Sequence, residues 1–141
     1  MLGPADRFLV ATDLVKPVDR LLAAYDDAAG VTAAFNRNLL AVLNRELGAD
    51  FELDRFAHVA AWDPDQRWIE MRLRALDPCT VKLPEIDLVV DFAGGEEMRT
   101  EISAKFTPEQ VSAELAAVGL SVVARWTDPA GDYLMTLARP A

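Results

Sequence analysis

The period of apolar and polar positions changes several times along this chain, and each change predicts an element. Phe8-Leu9-Val10-Ala11 is a short apolar run that ends at Thr12-Asp13. That is the pattern of a buried strand in a parallel sheet, with polar residues gathered at its C-terminal end. Lys16-Pro17 then breaks the chain. Apolar positions at 18, 21, 22 and 25 give helical spacing over Val18–Ala29, ended by Gly30. Thr32 is placed to cap a second helix running to Leu47, with Phe35, Leu39, Val42 and Leu43 on its core face and Gly48 as the stop.

From about Ala57 the period falls to two. His58–Trp62 and Trp68–Arg74 read as strands around the turn Asp63-Pro64-Asp65, and the second sets Glu70, Arg72 and Arg74 on a wet face against Ile69, Met71 and Leu73. Thr80–Leu83 and Ile86–Phe92 give further strands, parted by Pro84. A turn at Gly94-Gly95-Glu96-Glu97 leads into Met98–Ser103. The next helix carries full punctuation: Thr107 as cap, Pro108 at the first helical position, Gln110 to complete a capping box, and Gly119 at the end. Leu120–Trp126 and Tyr133–Leu137 form a closing hairpin. The result is a mixed α/β and α+β pattern. Its first strand implies neighbours on both sides for which the chain offers few candidates, so at least one edge is expected to stay unpaired or to pair with another copy of the chain.

Composition narrows the function classes. Of the 141 residues 52% are hydrophobic, enough for a core, and 14 Lys+Arg against 23 Asp+Glu give a net charge of −9. Such a surface repels phosphate backbones and anionic membranes, and no basic cluster offsets it locally. Cys79 is the only cysteine and His58 the only histidine, which excludes an internal disulfide and argues against a zinc site or a Ser-His-Asp triad. The N-terminus has no basic stretch followed by an apolar run, and no apolar segment approaches ~18 residues. The expectation is a cytoplasmic protein with neither nucleic acid nor membrane as partner.

Candidate chemistry concentrates in one strand. Glu101 and Ser103 alternate with Thr100 and Ile102, so their side chains share a face, ~7 Å apart. A carboxylate accepts from a ring N–H, and a hydroxyl donates to or accepts from the other ring nitrogen, so the pair suits a flat heterocycle. The competing reading is an exposed strand face on which Glu101 pairs with Arg99 or Lys105. Tyr25, on the apolar face of the first helix, is a core tyrosine or a carboxylate ligand. Met71 is core, or a pocket wall. Asn36 and Asn38 read as helix-surface or loop-bridging residues. His58, without an acidic partner in view, reads as structural rather than as a base. Gly94-Gly95 lacks the further glycine and helix of a dinucleotide loop.

Three stretches, Thr12–Lys16, Ala24–Asn38 and Gly95–Phe106, with a continuation through Trp126–Asp132, resemble in order and spacing the histidine-specific, S-adenosylmethionine-dependent methyltransferases. The resemblance implies the trimethylation of the α-amine of L-histidine to hercynine, in ergothioneine biosynthesis. It implies an α/β fold in which a class I, Rossmann-like core carries an inserted α+β substrate-binding domain. Residues 1–16 would supply a late core strand, residues 17–105 the inserted domain, and residues 106–141 the last core helix and antiparallel hairpin. Tyr25 would help hold the histidine carboxylate, Glu101 and Ser103 the two imidazole nitrogens, and Met71 an apolar wall. No residue of the chain matches a catalytic, metal or cofactor position; the glycine-rich loop and ribose-binding acid for S-adenosylmethionine would lie upstream, in a separate N-terminal half or in missing sequence. The isolated chain would then lack activity. The rival is a non-catalytic module derived from that family, binding small molecules or partners.

Overall fold

A computed structural model describes residues 2–141. The elements in chain order are β1 (Phe8–Asp13), α1 (Val18–Tyr25), α2 (Val31–Leu47), β2 (Phe56–Asp63), β3 (Trp68–Ala75), β4 (Cys79–Leu83), β5 (Leu88–Phe92), β6 (Glu97–Ala104), α3 (Pro108–Ala117), β7 (Leu120–Thr127) and β8 (Tyr133–Pro140). The fold is mixed α/β. The chain forms two compact units: one comprises the segment up to Pro17, Asp65–Arg67 and Ala104–Ala141, the other Val18–Pro64 and Trp68–Ser103.

In the first unit β1, β8 and β7 make an antiparallel sheet in that order. Of the expectations for Phe8–Ala11 the unpaired edge is found, while burial and a parallel neighbour are not seen among the described residues. β1 runs antiparallel to β8, lies at the sheet edge, and leaves Leu9 57% exposed. An apolar run reports what a strand can bury, and nothing in it fixes strand direction or covers its second face. On the other face α3 packs Val111 and Leu115 against Leu134 and Ala138. Thr107 caps α3 by accepting the Gln110 backbone N–H at 3.2 Å, with Pro108 behind it. The side chain of Gln110 donates instead to Glu114, so only half of the expected capping box forms. Lys105 is fully buried and pairs with Asp13 at 3.0 Å. Burial opposes the charge on Asp13, but bonds from Lys16 and Lys105 outweigh it and hold the carboxyl below its ordinary range. The β7–β8 turn is organised by Asp128, whose carboxylate accepts the backbone N–H groups of Ala130, Asp132 and Tyr133.

The second unit holds the sheet β2-β3-β6 and the hairpin β4-β5. Its core is aromatic: Phe56 meets Phe51 at 5.6 Å and Phe92 at 5.4 Å between ring centroids, both edge-on. Leu40, Leu73, Ala75 and Val81 close around them. Asn44 clips the chain leaving α2, donating to the carbonyl of Phe51 and accepting its N–H.

Both helices of this unit depart from the sequence expectation. α1 stops at Tyr25, four residues early, because Asp27 turns back to cap α2: its two carboxylate oxygens accept the N–H groups of Val31 and Thr32. The bond from Thr32 is the main reason that carboxyl sits at about 2. The N-cap position is therefore Gly30, in the left-handed region, with Asp27 supplying the capping carboxylate, and not Thr32. The face of α2 is also rotated. Phe35 is 65% exposed, while Asn36 and Leu40 are buried, with Leu43 and Leu47 packed behind them.

Candidate functional site

Three elements of the second unit converge on the last residue of α1. Period two places Ile69, Met71 and Leu73 of β3 on one face, and register sets His58 of β2 directly opposite Leu73, hence on that same face. Asn36 reaches this face from α2. Its side-chain amide donates to the Arg72 carbonyl at 3.1 Å and meets Nδ1 of His58 at 2.9 Å, while its Oδ1 accepts from the Thr100 hydroxyl at 2.6 Å. A carbonyl cannot donate, so the contact to Arg72 fixes the amide orientation. Nδ1 of His58 must then accept, and Nε2 carries the hydrogen, which it donates to the carbonyl of Tyr25 at 2.7 Å. At the other end of that residue the Tyr25 hydroxyl lies 2.6 Å from the hydroxyl of Ser103.

The four residues singled out from the sequence are placed as follows. Tyr25 and Ser103 are brought into direct contact. Met71 is buried, and its carbonyl receives a second contact from the Thr100 hydroxyl at 2.9 Å. Glu101 is exposed and borders a cavity of about 230 Å³ together with Phe35, Asn36, Asn38, Leu39, Val42 and Thr100. That cavity is lined by neither Tyr25, Met71 nor Ser103, and it falls below the ~300 Å³ at which small-molecule sites begin. These residues form a wall, not an enclosure.

The cations considered as partners for Glu101 are engaged elsewhere. Arg99 donates to Glu70 at 2.9 Å and lies over the Trp68 ring, and Lys105 pairs with Asp13. Glu70 is the centre of a charged lattice on β3 and β6, bound by Arg72, Arg99 and Trp68, while Glu97 is held by Arg72 and Arg74. Arg99 first and Arg72 second hold the carboxyl of Glu70 at about 2. The expected wet face is thus not wet at Glu70, which is only 5% exposed.

The residues that the sequence reading undervalued are Asn36, His58 and Thr100. A signal for Asn36 was present: it occupies a helical stripe with Leu40, Leu43 and Leu47, and a polar residue in an apolar stripe needs a buried partner. Among the described residues, no group of three or more His, Cys, Asp or Glu side chains could hold a metal ion. Gly94-Gly95 does not suit a phosphate-bearing cofactor. The N–H of Gly95 donates to Ala75, that of Glu96 to Ala93, and a Cβ on Gly94 would meet Pro78 at 3.2 Å. These glycines serve a turn packed on a proline.

Known proteins are similar to this sequence. A family model described as histidine-specific methyltransferase, SAM-dependent, matches residues 1–140, and the chain belongs to that family. It is 61% identical over 137 residues to a histidine N-alpha-methyltransferase of Mycolicibacterium smegmatis and 55% identical over 138 residues to one of Mycobacterium tuberculosis. Those matches take in 97% and 98% of this chain but 43% of each relative, so the chain spans less than half their length. An N-methyltransferase of Aspergillus flavus, imqF, is 26% identical over 90% of the chain and 34% of its own length. A solved methyltransferase, CcbJ of Streptomyces caelestis, overlays on 99% of this chain and 48% of its own at 15% identity, with a TM-score of 0.44, too loose to bear on the fold.

Proposed function

We propose that this chain is the histidine-binding portion of an L-histidine Nα-methyltransferase that makes hercynine for ergothioneine biosynthesis in the cytoplasm. In this reading residues 1–16 and 106–141 belong to a class I methyltransferase core and residues 17–105 to the inserted substrate domain. S-adenosylmethionine is bound by a portion of the enzyme outside these 141 residues, whether in the same polypeptide or in a separate N-terminal half. The chain alone therefore transfers no methyl group. The observation that carries the reading is the end of β6 in a histidine-specific family: a carboxylate, Glu101, whose two candidate cations are engaged elsewhere, and a hydroxyl, Ser103, already paired with the phenol of Tyr25.

The chemistry assigned to these side chains is recognition. Glu101 accepts the ring N–H of histidine and Ser103 donates to the other ring nitrogen. Tyr25 donates to the carboxylate, and Met71 supplies apolar surface. The short contact between Tyr25 and Ser103 uses one of their two hydroxyl hydrogens, so the phenol donates to a carboxylate only when Ser103 donates to the phenol oxygen, and both donate to substrate only when the pair opens. A site that pairs with both ring nitrogens rejects analogues that leave one partner unmatched, at ~1–3 kcal/mol per group.

The test uses the chain joined to, or mixed with, the cofactor-binding portion that the longer relatives carry. Glu101→Gln should lower kcat/KM for histidine about tenfold or more, since bonds to charged groups are worth ~1.5–3 kcal/mol. Ser103→Ala should cost less. Unchanged kcat/KM in both variants would return Glu101 and Ser103 to an ordinary exposed strand face. Calorimetry on the chain alone should show no tight binding of S-adenosylmethionine; one-to-one tight binding would move the cofactor site into this chain.

A further inference from the structure

We propose that Asn36 and His58 are positioning residues, which fix Tyr25 against Ser103 through an uncharged hydrogen-bond relay that requires the Nε2–H tautomer of His58. Its significance for substrate rests on the reading above; its existence does not. The relay runs from the Thr100 hydroxyl to Oδ1 of Asn36, from the Asn36 amide to Nδ1 of His58, and from Nε2–H to the Tyr25 carbonyl. The Tyr25 side chain then closes the path on Ser103, three residues along β6 from Thr100.

The geometry leaves no second arrangement of equal quality. Both amide hydrogens of Asn36 are committed, one to Arg72 and one to His58. A hydrogen on Nδ1 of His58 would face the amide hydrogens head-on. Turning the amide over would cure that, but would set Oδ1 against the Arg72 carbonyl, an acceptor facing an acceptor. The tautomer with hydrogen on Nδ1 would also oppose the Nε2 lone pair to the Tyr25 carbonyl. Asn36 is 3% exposed, so water cannot readily substitute for the lost bonds. Tyr25 is the last residue of α1, where the helix no longer holds the chain from its C-terminal side, and a carbonyl anchored from β2 restores that constraint.

His58 is the only histidine and Tyr25 one of two tyrosines, so both report without ambiguity. In the 15N-labelled chain, freed of any affinity tag, long-range proton–nitrogen correlation should show a neutral imidazole with the hydrogen on Nε2. With 3-fluorotyrosine incorporated, Asn36→Leu and His58→Phe should each move the fluorine resonance of Tyr25 and leave that of Tyr133 in place. Ser103→Ala should move the Tyr25 signal while leaving the His58 tautomer unchanged. A hydrogen on Nδ1 in the wild type overturns the relay, and needs no variant to fold. An unmoved Tyr25 signal in folded Asn36→Leu overturns it equally. In the completed enzyme Asn36→Leu should raise KM for histidine about tenfold with kcat less affected, because a misplaced contact of ~1 Å costs up to ~10²-fold. A relay seen by NMR beside an unchanged KM would uphold the positioning of Tyr25 and remove Tyr25 from the proposed substrate site.

Discussion

The sheet β2-β3-β6 carries two polar groupings that are built on opposite principles. One is a lattice of full charges, Glu70 with Arg72 and Arg99, and Glu97 with Arg72 and Arg74, on the β3 face opposite Ile69, Met71 and Leu73. The other is the neutral relay through Thr100, Asn36 and His58, on the face that carries the core. Charges tolerate partial hydration and imperfect geometry because attraction falls off slowly with distance, whereas neutral hydrogen bonds demand alignment. The lattice therefore suits holding strands together. The relay suits holding one residue, Tyr25, in one place. Buried Asn36 completes only if every partner is present, which makes it the more fragile of the two.

That fragility gives the largest expected effect. Asn36→Ala leaves the Arg72 carbonyl and Nδ1 of His58 without their Asn36 partner, while the Thr100 hydroxyl falls back on the Met71 carbonyl. At ~1–3 kcal/mol for each unsatisfied buried group, a destabilisation of about 3 kcal/mol is expected in urea unfolding. A loss under about 1 kcal/mol would mean that the relay is hydrated and the contrast between the two groupings is void.

A smaller, pH-dependent effect is expected from the lattice. The Glu70 carboxyl, held at about 2 by Arg99 and Arg72, has a folded-state pKa below its unfolded value of 4.5. Folding then favours the deprotonated form: the contribution is complete above the unfolded value and is lost as pH falls through about 4.5 toward 2. Glu70→Gln should lower the melting temperature at pH 7, and the gap between variant and wild type should narrow steadily on acidification. A gap independent of pH would show that Glu70 acts through packing.

The contrast also explains what could be read from the sequence. The lattice was half legible, since period two put Glu70, Arg72 and Arg74 on one face, but a single strand cannot reveal that Arg99 comes across from β6 to dry Glu70. The relay was almost illegible, because Asn36, His58 and Thr100 are separated by tens of residues and each alone has an ordinary explanation. The face of α2 was misassigned for a related reason. Phe35 and Leu39 outweigh Asn36 in any apolar tally, yet Asn36 is the buried one. Local punctuation was legible where it acts within a few residues, as at Thr107-Pro108 before α3 and Gly48 after α2. It misled at Thr32, because the capping carboxylate is that of Asp27, which reaches forward four and five positions from the loop after α1. Tyr25 and Ser103 were singled out separately, and their contact across 78 positions is a product of the fold.

The outer link of the relay should matter less than its centre. Thr100→Val keeps the shape of the side chain and removes one hydroxyl that serves both Asn36 and the Met71 carbonyl. About 1 kcal/mol of stability is expected to be lost, with the Nε2–H tautomer of His58 retained, because Arg72 still orients the amide. A switch of tautomer in this variant would transfer control of His58 from Arg72 to Thr100.

The smallest effect is expected at the rim of the lattice, from Arg74→Ala. Arg74 meets Glu97 with Nε at 2.8 Å, but its side chain is 47% exposed, and Glu97 keeps a second cation, Arg72, at 2.7 Å. Arg72 is also the first cause of the lowered carboxyl of Glu97, ahead of Arg74, so removing Arg74 leaves the larger hold in place. An exposed pair of this kind is worth ~0.2–1 kcal/mol and is screened within ~10 Å at 0.1 M salt. The variant should therefore unfold within about 0.5 kcal/mol of wild type, and the difference should shrink further when urea titrations are repeated at high salt. A larger loss that survives added salt would make the rim of the lattice as cooperative as the relay, and the distinction between a forgiving charged face and an exacting neutral one would fail at this strand.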